Sequence, residues 1–505
     1  MRKLAFLCVV AAAVGGCRRP AVTFPEEPVR RNADDVAVAY DTDGNGRADF
    51  FCLPGDDGRI DRIGYARNGE PVGTDTSGAA AGPDEIIDLD AIEPDRCRHV
   101  VIILDGYRYE VIRAMRRAGH LRMFHRPSRL IAPYPAMTDL ALTDLLATAP
   151  CRAFEAKYFD RSADRMVGGG GAYLKGRNEP YNRAIDYRAE LIWVPIFYLY
   201  PRESFRKDLH DAKRAFDASD RKELVAYLSS TAGVGTRLWR DGQIAALEQV
   251  ERLVLQLLHE SRGLTEITLV SDHGHTYTPC TGMDFAGALG ERGWRLTDRL
   301  TRPRDVVLAQ FGVTTFASFY ADERAELAAD LAGIEGVELT SYAEGDTVVV
   351  LAPPEEAGGP PRRAVVRRQA GRFAYRPERG DPLELRDILG QLPGRAGGFH
   401  DADALLAATV DHRWPAPLQR LWRAHFGAVE NVPEVIASLA DDRCVGSPLF
   451  RAMIDTASTH GGLNRHNAVT FIMSTAGELP SPLRARDVPA AMGELFGVPR
   501  WPRGR

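Results

Sequence analysis

The stretch His99-Val-Val-Ile-Ile-Leu-Asp105-Gly106 is answered far along the chain by Ile267-Thr-Leu-Val-Ser-Asp272-His273-Gly274. Each is a short apolar run ending in a carboxylate. That is the pattern of a buried parallel strand delivering an acidic side chain at its C-terminal edge. In open α/β sheets this edge is where ligands bind. Thr138 lies between the two runs and His460 near the C-terminus. Acidic and imidazole side chains gathered at one edge suit a divalent metal such as zinc.

Working outward, Ile244, Leu247, Val250, Val254, Leu257 and Leu258 form an apolar stripe at helical spacing just before the Asp272 strand. Alternating strand and helix predicts an α/β fold with a sheet covered on both faces. Residues 301–394 read differently. Thr347-Val-Val-Val-Leu351, Arg363-Ala-Val-Val-Arg367 and Phe373-Ala-Tyr-Arg376 are strand-like, and Pro353-Pro-Glu-Glu-Ala-Gly-Gly-Pro-Pro361 is a loop between the first two. This predicts a small antiparallel cap inserted into the body. The core is expected over residues 95–300 and 395–505, resuming through Val432-Pro-Glu-Val-Ile-Ala-Ser-Leu439 and Asn467-Ala-Val-Thr-Phe-Ile-Met473.

At 505 residues the chain can bury a large core, and its formal charge of −5 argues against nucleic-acid or anionic-membrane partners. The N-terminus is distinct. Met1-Arg-Lys, an apolar stretch to Val14, then Gly15-Gly16-Cys17 describe a secretory signal over residues 1–17. Cys17 after two glycines resembles the lipidation site of a bacterial lipoprotein; plain cleavage with an unmodified Cys17 is the competing reading. Residues 18–33 would be the tether. The expectation is a protein secreted across the inner membrane and held at the periplasmic face or outer membrane by a lipid on Cys17. Of seven cysteines, setting aside Cys8 and Cys17 leaves Cys52, Cys97, Cys151, Cys280 and Cys444. An odd number leaves at least one unpaired within the chain.

Residues 34–82 form an Asp/Gly-rich hairpin segment. In it Asp41-Thr-Asp43-Gly-Asn45-Gly-Arg47-Ala-Asp49 places oxygens at alternating positions, resembling the first nine positions of an EF-hand-type loop. A structural calcium would take Asp41, Asp43, Asn45, the Arg47 carbonyl and Asp49. Cys52 stands where the bidentate Glu belongs, so Asp56, Asp57 or Asp61 would have to complete the sphere. The alternative is a solvated Asp/Gly hairpin with no ion.

Pro133-Tyr-Pro135-Ala-Met-Thr138-Asp139 leads into Leu140-Ala-Leu-Thr-Asp-Leu-Leu146, which reads as a helix. A hydroxyl at a helix N-terminus meets unpaired N–H groups and the positive dipole end, a setting that attracts phosphate. Most threonines so placed are ordinary caps. The order of the parts singles this one out. Asp-Gly after an early strand, Pro-x-x-Thr at a helix start, Asp-His-Gly after a later strand and a distal His-Gly together resemble the alkaline phosphatase superfamily. Within it they are most similar to the type I phosphodiesterase/nucleotide pyrophosphatase branch, over about residue 99 to the C-terminus.

The resemblance implies a central mostly parallel sheet between helices, carrying two zinc ions. Asp105, Thr138, Asp272 and His273 would surround one metal, with Thr138 as the nucleophile on a phosphorylated small molecule. The second metal would take an Asp, a His four residues on, and His460. Here the chain departs from the pattern, with Ala232 and Thr236 at the first two places and Ala141 where many members carry an Asn. One metal site is therefore expected and the second is depleted, unless His275, His466 or Asp241 rebuilds it. Two functions stay open: a metal-dependent phosphoric-ester hydrolase, or a degenerate lipoprotein that keeps the fold for binding. A sulfatase would need Cys or Ser at position 138, and a membrane-embedded transferase would need spanning helices that the sequence lacks.

Overall fold

The computed structural model describes residues 22–31, 38–71, 83–169, 179–190, 194–393, 397–447, 451, 458–497 and 501–502. Cys17 and the signal segment lie outside them. The protein is a mixed α/β structure. Its central sheet has seven strands, in the order Tyr187–Arg188, Glu223–Leu228, Arg98–Leu104, Thr265–Ser271, Val469–Ser474, Ser128–Ile131, Leu483–Arg484. Val469–Ser474 runs antiparallel to both its neighbours, and every other pairing is parallel. The strands Arg98–Leu104 and Thr265–Ser271 are almost wholly buried. That is why they read as continuous apolar runs without alternation.

The helix Thr231–Ser261 covers one face, interrupted at Trp239, whose φ is 57°. Its stripe residues Leu247, Val250, Val254, Leu257 and Leu258 pack with Val100, Ile102, Ile267 and Leu269 of the sheet. The opposite face, through Val101, Ile103 and Val270, packs on Leu142, Leu145 and the C-terminal helix Val488–Phe496. The N-terminal segment forms a five-stranded antiparallel sheet. Its Phe50 and Tyr65 rings, with Phe24, gather on His259 near the end of the long helix.

The inserted cap is larger than the sequence predicts. A nine-stranded sheet runs in the order Arg295–Leu296, Asp305–Ala309, Phe316–Tyr320, Val435–Leu439, Val337–Glu344, Thr347–Ala352, Arg362–Gln369, Arg372–Arg379, Phe399–His400. Val435–Leu439, expected to return the chain to the main sheet, instead pairs with Phe316–Tyr320 and Val337–Glu344. All five of its residues are buried. Such a strand carries no polar alternation to show which sheet it joins. The Thr347–Ala352 strand is buried on both faces. Val348 and Val350 meet Leu418 and Leu421 of one helix, and Val349 and Leu351 meet Leu327 and Leu331 of another.

Among the described residues no helix is long and apolar enough to cross a membrane. Among the described residues Cys52, Cys97, Cys151, Cys280 and Cys444 form no disulfide.

Candidate metal centre and nucleophile

Strand register builds the site. Leu104 pairs with Leu228 on one side and with Ser271 on the other. Asp105 and Asp272 are the next residues on neighbouring strands and emerge side by side. Each backbone is then tied down. The Asp105 N–H donates to Thr231 Oγ1 at 2.7 Å, and the Gly106 and His273 N–H groups donate to Asp272 Oδ1 at 3.0 and 2.8 Å. Gly274 lets this turn lie against the segment that follows His460. A Cβ there would stand 2.1 Å from the His466 carbonyl oxygen. Gly274→Ala is therefore expected to destabilise the protein by about 1–3 kcal/mol, measured by urea unfolding; an unchanged midpoint would show that the two segments part easily.

Thr138 is the first residue of the helix Thr138–Leu145, and Met137 holds the cap position without a side-chain bond. The hydroxyl is thus not an ordinary cap. Its Oγ1 donates to Asp105 Oδ2 at 3.4 Å and lies 3.2 Å from His273 Nε2. His273 Nδ1 bonds the Gly274 carbonyl at 2.9 Å, and His460 Nδ1 bonds the Ala136 carbonyl at 2.9 Å. Carbonyls only accept, so each Nδ1 carries the proton and each Nε2 keeps its lone pair. The two rings stack at 3.9 Å.

The donor set fits a cation. One ligand atom each from Asp105, His273 and His460 all fall within 4.8 Å of one another. Asp105 Oδ1 and Asp272 Oδ2 are buried without a hydrogen-bond partner. His273 Nε2 lies 3.4 Å from Asp272 Oδ2 and 3.8 Å from Asp105 Oδ1. Two orphaned carboxylate oxygens in a buried site are costly unless something positive meets them. Mixed carboxylate and imidazole donors favour zinc over magnesium or calcium.

The titration behaviour points the same way. Burial and then Asp272 raise the Asp105 carboxyl, and burial raises Asp272 to about 7 against the pull of the Gly106 and His273 N–H groups. Burial lowers His273, and burial with His273 nearby lowers His460 to about 3, so both imidazoles are neutral donors. A carboxyl raised from its ordinary value of 3.8 to about 7 takes stability away as pH climbs through that window. A cation bound beside Asp272 would have to displace its proton below pH 7 but not above. The gain in melting temperature on adding zinc is therefore expected to be larger at pH 8 than at pH 6, read by thermal unfolding. An equal gain at both would contradict this.

Asp105, Thr138 and His460 border a cavity of about 180 Å³, lined also by Asp139, Glu155, Tyr181, Arg188, Phe197, Tyr198, Tyr227, Ala232 and Phe311. The structure thus brings Asp105, Thr138, Asp272, His273 and His460 together. It also adds residues that sequence reasoning passed over. The Tyr227 hydroxyl donates to Asp105 Oδ2; a tyrosine inside the apolar run Glu223–Leu228 was the available signal.

The alternatives for a second site part company. His275 is buried, with Nδ1 bonded to the Ser458 hydroxyl and its ring edge-on to His460 at 5.5 Å. Its edge packs against Gly106 and Gly235. His466 is instead paired with Asp441 at 2.5 Å, and Asp241 is exposed. Ala232 presents a methyl to the cavity and Thr236 is buried. Among the described residues Asp105, His273 and His460 are the one group of three or more such donors.

The Asp41–Asp49 loop uses its oxygens internally. Asp41 accepts from the Gly44, Asn45 and Gly46 N–H groups, Asp43 from Asn45, and Asn45 Oδ1 from the Arg47 N–H. Asp49 accepts from Thr42. Asp57 accepts from the Arg59 N–H and Asp61 pairs with Arg62, while Asp56 is exposed.

No protein-family model matches the chain, and no curated protein matches it. Solved structures do. Phosphonoacetate hydrolase from Sinorhizobium meliloti 1021, in complex with phosphonoacetate, aligns at a TM-score of 0.42 and 12% identity, over 80% of this chain and 96% of that one. Murine ectonucleotide pyrophosphatase/phosphodiesterase 5 aligns at 0.42 and 10% identity over the same shares. Likeness at this level leaves the function to be argued from this chain's own residues.

Proposed function

We propose that this chain is an extracytoplasmic, metal-dependent phosphoric-ester hydrolase with Thr138 as nucleophile, similar in its site to the alkaline phosphatase superfamily. The observation that carries the proposal is the Thr138 hydroxyl, set 3.2 Å from His273 Nε2 and 3.4 Å from Asp105 Oδ2 on a cavity wall. Asp105, His273 and His460 would hold one zinc ion, with the Asp272 carboxylate beside His273. When bound, such an ion supplies the positive charge that lowers the Thr138 hydroxyl pKa and favours its alkoxide.

The chain's own groups do the rest. Thr138 Oγ1 attacks phosphorus in line, the ester oxygen leaves, and a phospho-threonine forms that water then hydrolyses. The first N–H groups of the Thr138–Leu145 helix, at the positive end of its dipole, would favour the phosphoryl oxygens of a substrate held at Thr138. Tyr227 holds Asp105 in place through its hydroxyl. Purified protein, zinc-loaded and lacking Cys17, should hydrolyse a nitrophenyl phosphodiester, and Thr138→Ala should not; equal rates would end the assignment.

The substrate side is a phosphorylated small molecule rather than nucleic acid, in keeping with the −5 charge. Attachment to a membrane would come through a lipid on Cys17 alone. Ala232 favours a second reading, a module that binds a phosphorylated ligand without turning it over. Zinc binding and ligand binding with no turnover would select it. The Asp41–Asp49 loop is proposed as a weak structural calcium site, since Asp41 would have to release three N–H groups to ligate. A rise in melting temperature with millimolar calcium, lost in Asp43→Asn, would support it; no rise would not.

A further inference from the structure

Building on the hydrolase reading, we propose that Arg188 selects substrates bearing a second anionic group, a carboxylate or a second phosphate, beside the reacting phosphoryl group. Arg188 pairs in parallel register with Tyr227. Paired residues on neighbouring strands project to the same face. Tyr227 reaches Asp105, so the guanidinium stands on the wall of the same cavity.

Three observations point to an anion there. Arg188 is the one arginine or lysine among the described residues that line the cavity, against Asp105, Asp139 and Glu155. Its guanidinium donates to the Asn182 amide oxygen at 2.6 Å, and no described carboxylate pairs with it. That neutral partner fixes the planar fork while leaving its charge uncompensated, a setting suited to bidentate capture of a carboxylate or phosphate. Finally, Ala232 offers no ligand for a second cation. A negative charge on the outer part of a substrate then has Arg188 as its described counter-charge. Tyr181, Phe197, Tyr198 and Phe311 form the other walls, which strengthens that attraction by excluding water. The volume of about 180 Å³ limits the ligand to a small organophosphorus compound.

The test is calorimetric binding to the zinc-loaded chain. The ligands are propylphosphonate, propane-1,3-diphosphonate and 3-carboxypropylphosphonate, which are not esters and are not turned over. The parent is expected to bind one or both of the two-anion ligands about tenfold or more tighter than propylphosphonate. The two arms tell carboxylate from phosphate recognition. Arg188→Gln should cut that preference to within about twofold while leaving propylphosphonate affinity unchanged, and Arg188→Lys should restore part of it. Asn182→Ala, which frees the fork from its orienting partner, should weaken the preference in the same direction without deleting the charge.

No preference in the parent, or a preference untouched by Arg188→Gln, overturns the anchor and leaves the hydrolase reading standing. An equal loss for all three ligands shows Arg188 acting on the reacting phosphoryl group and also overturns it. Failure of every phosphonate to bind the zinc-loaded parent contradicts both readings.

Discussion

Replacing Thr138 by alanine is expected to lower phosphodiester turnover by on the order of 10³-fold or more while leaving zinc content unchanged. The hydroxyl sits at the first turn of its helix and makes no cap, so its loss costs the fold little. What it does touch is the cluster: Asp105 at 3.4 Å and His273 at 3.2 Å. Zinc would keep its carboxylate and imidazole donors in the variant, because a neutral hydroxyl adds little to them. Rate and metal content therefore separate. A fall in both would make Thr138 a ligand first and a nucleophile second, and a fall in neither would remove it from the reaction.

Asp105→Asn is the second large effect, and its sign depends on the metal. The carboxyl is buried, has one oxygen without a partner, and is raised by burial and by Asp272. Zinc affinity is expected to drop on the order of 100-fold or more, with turnover lost alongside it. The metal-free protein should behave oppositely. Asparagine keeps the shape and can still accept from the Tyr227 hydroxyl, yet it carries no charge into the interior. At pH 8 the metal-free variant is expected to be more stable than the metal-free parent by about 1–3 kcal/mol. The gain should shrink toward pH 4, as the raised carboxyl of the parent takes up its proton. Thermal unfolding at both pH values, with chelator and with zinc, measures this. A metal-free variant less stable than the parent at pH 8 would mean that Asp105 is a structural acceptor.

Much of this site is legible in the sequence because the physics that builds it is local. A buried strand must be apolar along its length, so the first carboxylate after the run marks the edge; Asp105 and Asp272 are found that way. His273 and Gly274 follow by adjacency, and Gly274 is needed because the His466 carbonyl lies where a Cβ would go. His460 follows only from the order of the parts, since nothing near it in the chain says which strand it faces.

What escaped the sequence was non-local. Tyr227 acts through cross-sheet register, and Arg188 sits in a strand of two residues, too short to show a period. Val435–Leu439 reads as the return of the body yet pairs within the nine-stranded sheet, because burial on every side erases the alternation that identifies a strand's neighbours. His466 reads as one of the residues that could rebuild the second site, but its Asp441 partner is contributed by another segment.

Calorimetric titration of the metal-free, Cys17-deleted chain with zinc at pH 8 tests the central claim most directly, run beside Asp105→Asn and a His273→Ala, His460→Ala double variant. One high-affinity zinc per parent chain, weakened or lost in both variants, is the result expected of a single cation held at the sheet edge beside Thr138. No binding to the parent, or binding that both variants retain, would contradict it.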